Sequence, residues 1–100
     1  EIFALKPDGQ VKFRAGVPPD YFSATGQLWG NPVYRWDVLK DNGYHWWMKR
    51  LGRDLSRYST LRLDHFRAFY NYWSIPEDAL DACTGTWEMG PGLPFFEELR

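Results

Sequence analysis

Four polar side chains, Arg62, Asp64, His65 and Arg67, interrupt the otherwise apolar stretch at residues 60–69 and could do chemistry. If this stretch is a buried β-strand, Arg62 and Asp64 point to the same side, where the guanidinium holds the carboxylate ionised. An ionised and positioned carboxylate can attack the anomeric carbon of a sugar. The alternative interpretation is an Arg–Asp pair that only closes a layer of the core, and the pattern alone leaves both open.

The remaining polar residues favour no other reaction class. His65 could hydrogen-bond a sugar hydroxyl or be a core histidine with satisfied hydrogen bonds, and Arg67 is interpreted as a structural ion-pair partner. The sequence has no glycine-rich phosphate loop and no Cys-x-x-Cys motif. His45 and His65 lack the spacing and the partner ligands of a metal site. We therefore expect neither a metal nor a cofactor.

Length, charge and cysteine content exclude several classes of protein. One hundred residues form one domain at most, and 12 basic against 13 acidic residues give a net charge of −1. This balance attracts neither nucleic acid nor an anionic membrane surface. No apolar run approaches the roughly 20 residues of a membrane span, and no signal peptide is recognisable. The single Cys83 favours a reducing compartment.

Aromatic side chains make up 19% of the chain. They could pack in the core, or they could form surfaces that stack on sugar rings. Residues 16–34 combine such rings with three prolines and three glycines, which predicts a long loop. The rings are too many for a disordered linker. Trp36, Trp46 and Trp47, at helical spacing, are predicted to pack in the core.

Two regular elements are predicted after this loop. Residues 36–58 carry the apolar stripe of a helix, interrupted at Asn42 and Gly43, so that a short turn precedes the main helix. Residues 60–69 are predicted to be a buried strand, and a further helix begins in the motif LPFFEELR. A short strand is also expected before the loop.

The order strand, loop, helix, strand predicts a β-α-β unit with a parallel sheet. One such unit cannot cover both faces of its sheet, which indicates a fragment of a larger α/β protein. In a parallel α/β barrel the catalytic residues lie at the carboxyl ends of the strands. Asp64 would stand near such an end.

The motifs GVPPDYFS, TGQLWGNP and RLDHFR resemble the amylomaltase family, the 4-α-glucanotransferases also called disproportionating enzymes. The resemblance implies that residues 1–100 are a fragment of a single (β/α)8 TIM-barrel catalytic domain. It also implies transfer of an α-1,4-glucan segment to the 4-hydroxyl of another glucan or of glucose, by a retaining double displacement. On the matching motif Asp64 would be the nucleophile, Arg62 would orient it, and His65 would bind the sugar.

The resemblance further implies that residues 16–34 are a mobile loop over the substrate grooves. The loop residues expected to bind glucan are Asp20, Phe22, Gln27, Trp29 and Asn31. The implied partners are α-1,4-glucans and maltooligosaccharides, with no nucleic acid and no membrane. The implied location is the cytoplasm, or the plastid stroma of a plant.

A retaining mechanism also needs a carboxylic acid about 5 Å from the nucleophile. The resemblance places this Glu on the next strand, beyond Arg100, so the remainder of the barrel is required and residues 1–100 alone are expected to be inactive. Two alternatives stay open. The first is an α-glucan hydrolase of the amylase type, with water as the acceptor, and the second is a non-catalytic glucan-binding remnant.

Overall fold

The computed structural model describes residues 2–100, and the following helices and strands belong to that part of the chain. The strands are β1 (Phe13–Val17), β2 (Gln27–Pro32), β3 (Asn71–Pro76) and β4 (Thr86–Met89). The helices are α1 (Trp36–Asp41), α2 (His45–Arg57) and α3 (Leu93–Leu99), with a 3-10 turn at Phe66–Phe69. None of these helices has the length and apolar character that crossing a membrane requires.

The strands form an antiparallel sheet in the order β2-β1-β3-β4, so the predicted parallel β-α-β unit is wrong for the described residues. Residues 18–26 join β1 to β2 and residues 77–85 join β3 to β4, which makes each pair a hairpin without a helical crossover. The 16–34 stretch is not one loop, because it contains the end of β1 and all of β2. Gly30 and Pro32 obscured β2, which tolerates a proline because it is an edge strand.

Residues 60–69 are not a β-strand, contrary to the prediction. Residues 60–65 have no regular secondary structure, and the 3-10 turn follows directly. No strand of the described chain pairs with these residues. Leu61 and Leu63 instead pack against buried side chains of the helices. The prediction of burial is wrong for most of this stretch as well, because Phe69 is buried, Leu61, Leu63 and Ala68 are half-buried and the other six residues are exposed. A short apolar run does not distinguish a buried strand from other backbone structures.

The predicted helical span 36–58 consists of two helices, and the predicted interruption at Asn42 and Gly43 is confirmed. Gly43 has φ +70° and Tyr44 has φ +58°, so the chain turns through the left-handed region between α1 and α2. The backbone N–H of His45 donates to Asn42 Oδ1 at 3.2 Å and helps to start α2. The helix predicted in LPFFEELR is confirmed as α3.

Five buried side chains on or beside the helices form what we call the helical core: Leu39, Tyr44, Leu51, Phe69 and Phe95. Trp36 and Trp47 pack against this core, with ring centroids 6.1 Å apart and ring planes 19° apart. Trp46 meets Trp47 edge to face at 5.4 Å. The prediction of core packing is therefore confirmed for Trp36 and Trp47, whereas it is wrong for Trp46, whose side chain is exposed and contacts the core region through Trp47 and Tyr34.

The sheet has two differently covered faces because side chains alternate along each strand. Trp73 lies on the face over which residues 77–85 fold, and its Nε1–H donates to the carbonyl oxygen of Ala82 at 2.9 Å. Tyr72, on the opposite face of β3, lines a space shared with α1 and α2. Trp29 of β2 lines the same space, so this face of the sheet forms one wall of it.

Candidate active site

A cavity of about 370 Å³ lies between the sheet and helices α1 and α2. Trp29 and Tyr72 line it from the sheet, Trp36 and Trp47 line it from the helices, and Asp64 also borders it. This volume falls within the range of small-molecule sites, which combine apolar walls with a few polar groups. The cavity is therefore the candidate active site.

Asp64 and Arg62 lie close together at the protein surface. Arg62 Nη2 is 3.5 Å from Asp64 Oδ1, and the two side chains are 90% and 91% exposed. An ion pair in this environment contributes little to stability because water screens it. Asp64 borders both the main cavity and a second cavity of about 220 Å³, which Arg62 also lines. The carboxylate is thus accessible to a molecule in the main cavity.

His65 turns the chain directly after Asp64. Its backbone has φ +48° and ψ +49°, a left-handed conformation that costs about 1–2 kcal/mol for a residue with a side chain. Its imidazole meets the indole of Trp29 edge to face, with centroids 4.8 Å apart and planes 87° apart. This contact links β2 to the residue that follows Asp64.

Strand β2 contributes three of the predicted glucan-binding residues. Trp29 and Asn31 lie on either side of Gly30 (φ +90°) in the chain, and both line the cavity. Gln27 does not line the cavity, but its Oε1 accepts a hydrogen bond from Trp29 Nε1 at 3.1 Å. Gln27 can therefore act on the cavity by fixing the orientation of the Trp29 indole.

The other two predicted loop residues lie outside the cavity wall. Asp20 Oδ1 accepts hydrogen bonds from the backbone N–H groups of Phe22 at 2.9 Å and Ser23 at 2.8 Å, which forms a local turn. The Phe22 side chain is 92% exposed and the neighbouring Tyr21 is 97% exposed. This loop tip presents two exposed rings, and the roles of Asp20 and Phe22 in glucan binding stay predictions.

The sequence patterns did not reveal Tyr72 and assigned Trp36 and Trp47 only to packing. Both tryptophans pack in the core and also form a wall of the cavity. Burial raises the pKa of the Tyr72 phenol, and the carboxylates of Glu88 and Asp37 raise this pKa further. Alternation in the segment NYWSIP, which places Tyr72 and Trp73 on opposite faces, was the signal that could have found Tyr72.

The groups around the cavity suit a neutral, hydroxyl-rich ligand. Aromatic rings can stack on sugar C–H faces, and Asn31, Asp64 and His65 offer hydrogen-bonding groups. In residues 2–100 no group of three or more His, Cys, Asp or Glu side chains could hold a metal ion. A carboxylate at the cavity border, such as that of Asp64, can accept a hydrogen bond from a hydroxyl group or act as a nucleophile.

Comparison with known proteins gives a consistent result. The profile of the 4-alpha-glucanotransferase family matches residues 1–100. A 4-alpha-glucanotransferase of Synechocystis sp. is 51% identical over 100 residues, which cover 99% of this chain and 20% of that protein. A chloroplastic/amyloplastic 4-alpha-glucanotransferase of Oryza sativa is 43% identical over 97 residues, covering 97% of this chain and 16% of that protein.

Comparison with solved structures agrees with the sequence comparisons. Amylomaltase from Streptococcus agalactiae, in complex with acarbose, matches with a TM-score of 0.93 and 43% identity, over 98% of this chain and 20% of that one. The chain thus spans about a fifth of the length of these relatives. The match over residues 1–100 confirms the resemblance predicted from the three motifs. The chain belongs to the 4-alpha-glucanotransferase family.

Proposed function

We propose that the full-length protein carrying this chain transfers a segment of an α-1,4-glucan to the 4-hydroxyl of another glucan or of glucose. The observation that carries the proposal is the exposed Asp64 carboxylate at the border of an aromatic cavity, with Arg62 3.5 Å away. The names of the relatives support the reaction, and the acarbose complex of the amylomaltase supports an oligosaccharide-like ligand.

The proposed reaction is a double displacement with Asp64 as the nucleophile. In the first step an Asp64 oxygen bonds to C1 of the donor sugar, the C1–O4 bond breaks, and a carboxylic acid protonates the departing O4. In the second step the 4-hydroxyl of the acceptor attacks C1, its proton returns to the same carboxylate, and Asp64 is released. Two inversions retain the α configuration.

Arg62 and His65 would assist from either side of Asp64. The Arg62 guanidinium would orient the carboxylate through their contact at 3.5 Å. The His65 imidazole, held against the indole of Trp29, would donate a hydrogen bond to a hydroxyl of the sugar at C1. Trp29 and Asn31 would then contact the glucan from the sheet side of the cavity.

We further propose that these residues form part of a (β/α)8 barrel in the full-length protein. The Asp64 segment, residues 60–65, would pair there with strands contributed by the rest of the protein. Two observations support this arrangement: the segment finds no strand partner within the described residues, and the relatives are about five times as long. The acid/base carboxyl would also come from that remainder.

The loop at residues 18–26 favours transfer over hydrolysis in this proposal. Its exposed Tyr21 and Phe22 rings can cover a bound glucan and exclude water, which leaves a second sugar as the acceptor. We expect the protein to act in the bacterial cytoplasm, or in the plastid stroma if the source is a plant, since the rice relative is named chloroplastic/amyloplastic.

Product analysis with maltotriose tests the proposal. Transfer converts two maltotriose molecules into glucose and maltopentaose, whereas hydrolysis gives glucose and maltose. We expect the full-length protein to form maltopentaose and longer chains, and Asp64→Asn to lower the rate by about four orders of magnitude. Asp41→Asn, an exposed carboxyl at the end of α1, is the matched control and should stay active. Glucose and maltose alone would instead identify a hydrolase.

A further inference from the structure

We propose that Tyr72 is a further substrate-contacting residue, whose phenol O–H donates a hydrogen bond to a hydroxyl oxygen of a neutral sugar ring in the cavity beside Asp64. This inference rests on the proposed function, because it concerns the same cavity. Neither the sequence motifs nor the comparisons assign a role to Tyr72.

Tyr72 borders the cavity from the sheet. Tyr72 lies near the start of β3, where its Cα pairs with that of Glu88 on β4. The neighbouring Trp73 also borders the cavity, but its indole N–H is engaged by the carbonyl oxygen of Ala82. Tyr72 and Asp64 border the same cavity, which lets one ligand touch both.

Several other polar groups around the cavity are already engaged within the protein. Trp29 Nε1 donates to Gln27 at 3.1 Å, and Trp73 Nε1 donates to a backbone carbonyl at 2.9 Å. The Tyr34 phenol interacts with Arg50, which lowers the pKa of Tyr34 against the upward effect of burial. These groups are therefore less available to a ligand.

The Tyr72 hydroxyl differs from these groups. Among residues 2–100, no hydrogen-bond partner of this hydroxyl is present. The buried side-chain nitrogen and oxygen atoms without a partner in the same residues are Arg14 Nε and Trp47 Nε1. The Tyr72 oxygen is not one of these sealed atoms, and Tyr72 lines the cavity, so this oxygen is a candidate contact for a bound molecule.

The charges around Tyr72 define the chemical class of the ligand. Burial and the carboxylates of Glu88 and Asp37 raise the pKa of the phenol, so the hydroxyl stays protonated and can donate. Asp64 borders the cavity, and the carboxylates of Glu88 and Asp37 lie close enough to Tyr72 to raise its pKa, which disfavours an anionic ligand such as a sugar phosphate beside this hydroxyl. A neutral polyhydroxyl ring offers oxygen acceptors for Tyr72 without this repulsion.

Maltotriose binding to the full-length protein in an Asp64→Asn background, which prevents turnover, measures the contact directly. Tyr72→Phe removes one hydroxyl and keeps the ring, and we expect the Kd to rise about 2- to 12-fold. Tyr70→Phe is the matched control, because Tyr70 is 66% exposed and does not line the cavity. The control should bind as the parent does, and equal thermal midpoints would show that both variants fold.

The outcomes separate this inference from the proposed function. Equal Kd values for Tyr72→Phe and Tyr70→Phe would overturn the role of Tyr72 even if the parent transfers glucan. Failure of the Asp64→Asn protein to bind maltotriose would overturn it as well. If the active parent produces only glucose and maltose while Tyr72→Phe still weakens binding, the transfer proposal fails and the Tyr72 contact stands.

Discussion

The helical core and the Asp64 segment differ in burial and in the contacts that the rest of residues 2–100 makes with them. Phe95 and Leu39 of the core are 0% and 1% exposed, and each is surrounded by rings and aliphatic side chains. In the Asp64 segment the Arg62 and Asp64 side chains are about 90% exposed, and no strand of residues 2–100 pairs with their backbone. The well-packed core and the proposed catalytic segment thus lie in different parts of the described chain.

This difference indicates which contacts stabilise each region. Burial of apolar surface makes the helical core stable through contacts that residues 2–100 supply themselves. The Asp64 segment gains few such contacts, and its residue His65 holds a left-handed backbone. Strained, accessible residues of this kind are typical of functional sites. Substitutions in the two regions should therefore affect different measurements.

The largest effect on stability is expected for Phe95→Ala in the full-length protein. Loss of a fully buried ring leaves a cavity, and the free energy of unfolding should fall by about 3–5 kcal/mol. Urea unfolding followed by tryptophan fluorescence measures this change. Leu80→Ala, at a side chain that is 97% exposed, should change it by less than about 0.5 kcal/mol. Equal effects would contradict the central role of the helical core.

Arg62→Ala should lower activity and leave stability unchanged, in contrast to Phe95→Ala. Loss of the guanidinium misplaces the Asp64 carboxylate, so kcat/KM for maltotriose should fall about 100-fold. The urea midpoint should not move, because the pair is exposed. Arg62→Lys keeps the charge and should restore part of the rate, while Arg53→Ala on the exposed side of α2 should not change it. A shifted midpoint would show that Arg62 has a structural role.

A smaller effect is expected where the sheet meets the Asp64 segment. Trp29→Ala removes the edge-to-face contact with His65 and a wall of the cavity, so kcat/KM should fall about 2- to 12-fold. Trp29→Phe keeps a ring against His65 and loses only the hydrogen bond to Gln27. Its rate should lie between those of the parent and Trp29→Ala, and an unchanged rate in Trp29→Ala would argue against the contact.

The smallest effects on stability are expected for substitutions of two glycines in the helical region. Gly43→Ala forces a side chain into a backbone with φ +70° and should destabilise the protein by about 1–2 kcal/mol. Gly52→Ala lies within α2 with nothing near the added methyl group, and should stabilise by about 0.5–1 kcal/mol. Urea unfolding of both variants measures the difference. The same sign for both would contradict the assigned turn between α1 and α2.

Local patterns predicted the helical region well and the sheet poorly. Asn42 and Gly43 marked the break between α1 and α2, and LPFFEELR marked α3, because glycine conformation and helical periodicity act over a few residues. The hairpin β1–β2 has the sequence pattern of a loop, since Gly30 and Pro32 are typical of loops. Strand pairing depends on residues far apart in sequence, which local patterns do not encode.

The candidate site was predicted in part. Asp64, His65, Trp29 and Asn31 were expected from the motifs, and the structure brings all four to one cavity. Tyr72 was missed because the segment NYWSIP was not predicted to be a strand, so its alternation was not used. Only the fold shows that its hydroxyl lacks a hydrogen-bond partner within residues 2–100 and that Tyr72 lines the cavity that Asp64 borders.

The sequence by itself determined the family, the helical region and the residues able to do chemistry, because side-chain type and short-range spacing carry that information. The tertiary structure decided the antiparallel sheet, the irregular backbone around Asp64 and the residues that enclose the cavity. These features arise from contacts between segments far apart in the chain, such as the pairing of β1 with β3, where Gly16 lies opposite Trp73. The energy of each contact depends on both partners, so neither segment alone reveals it.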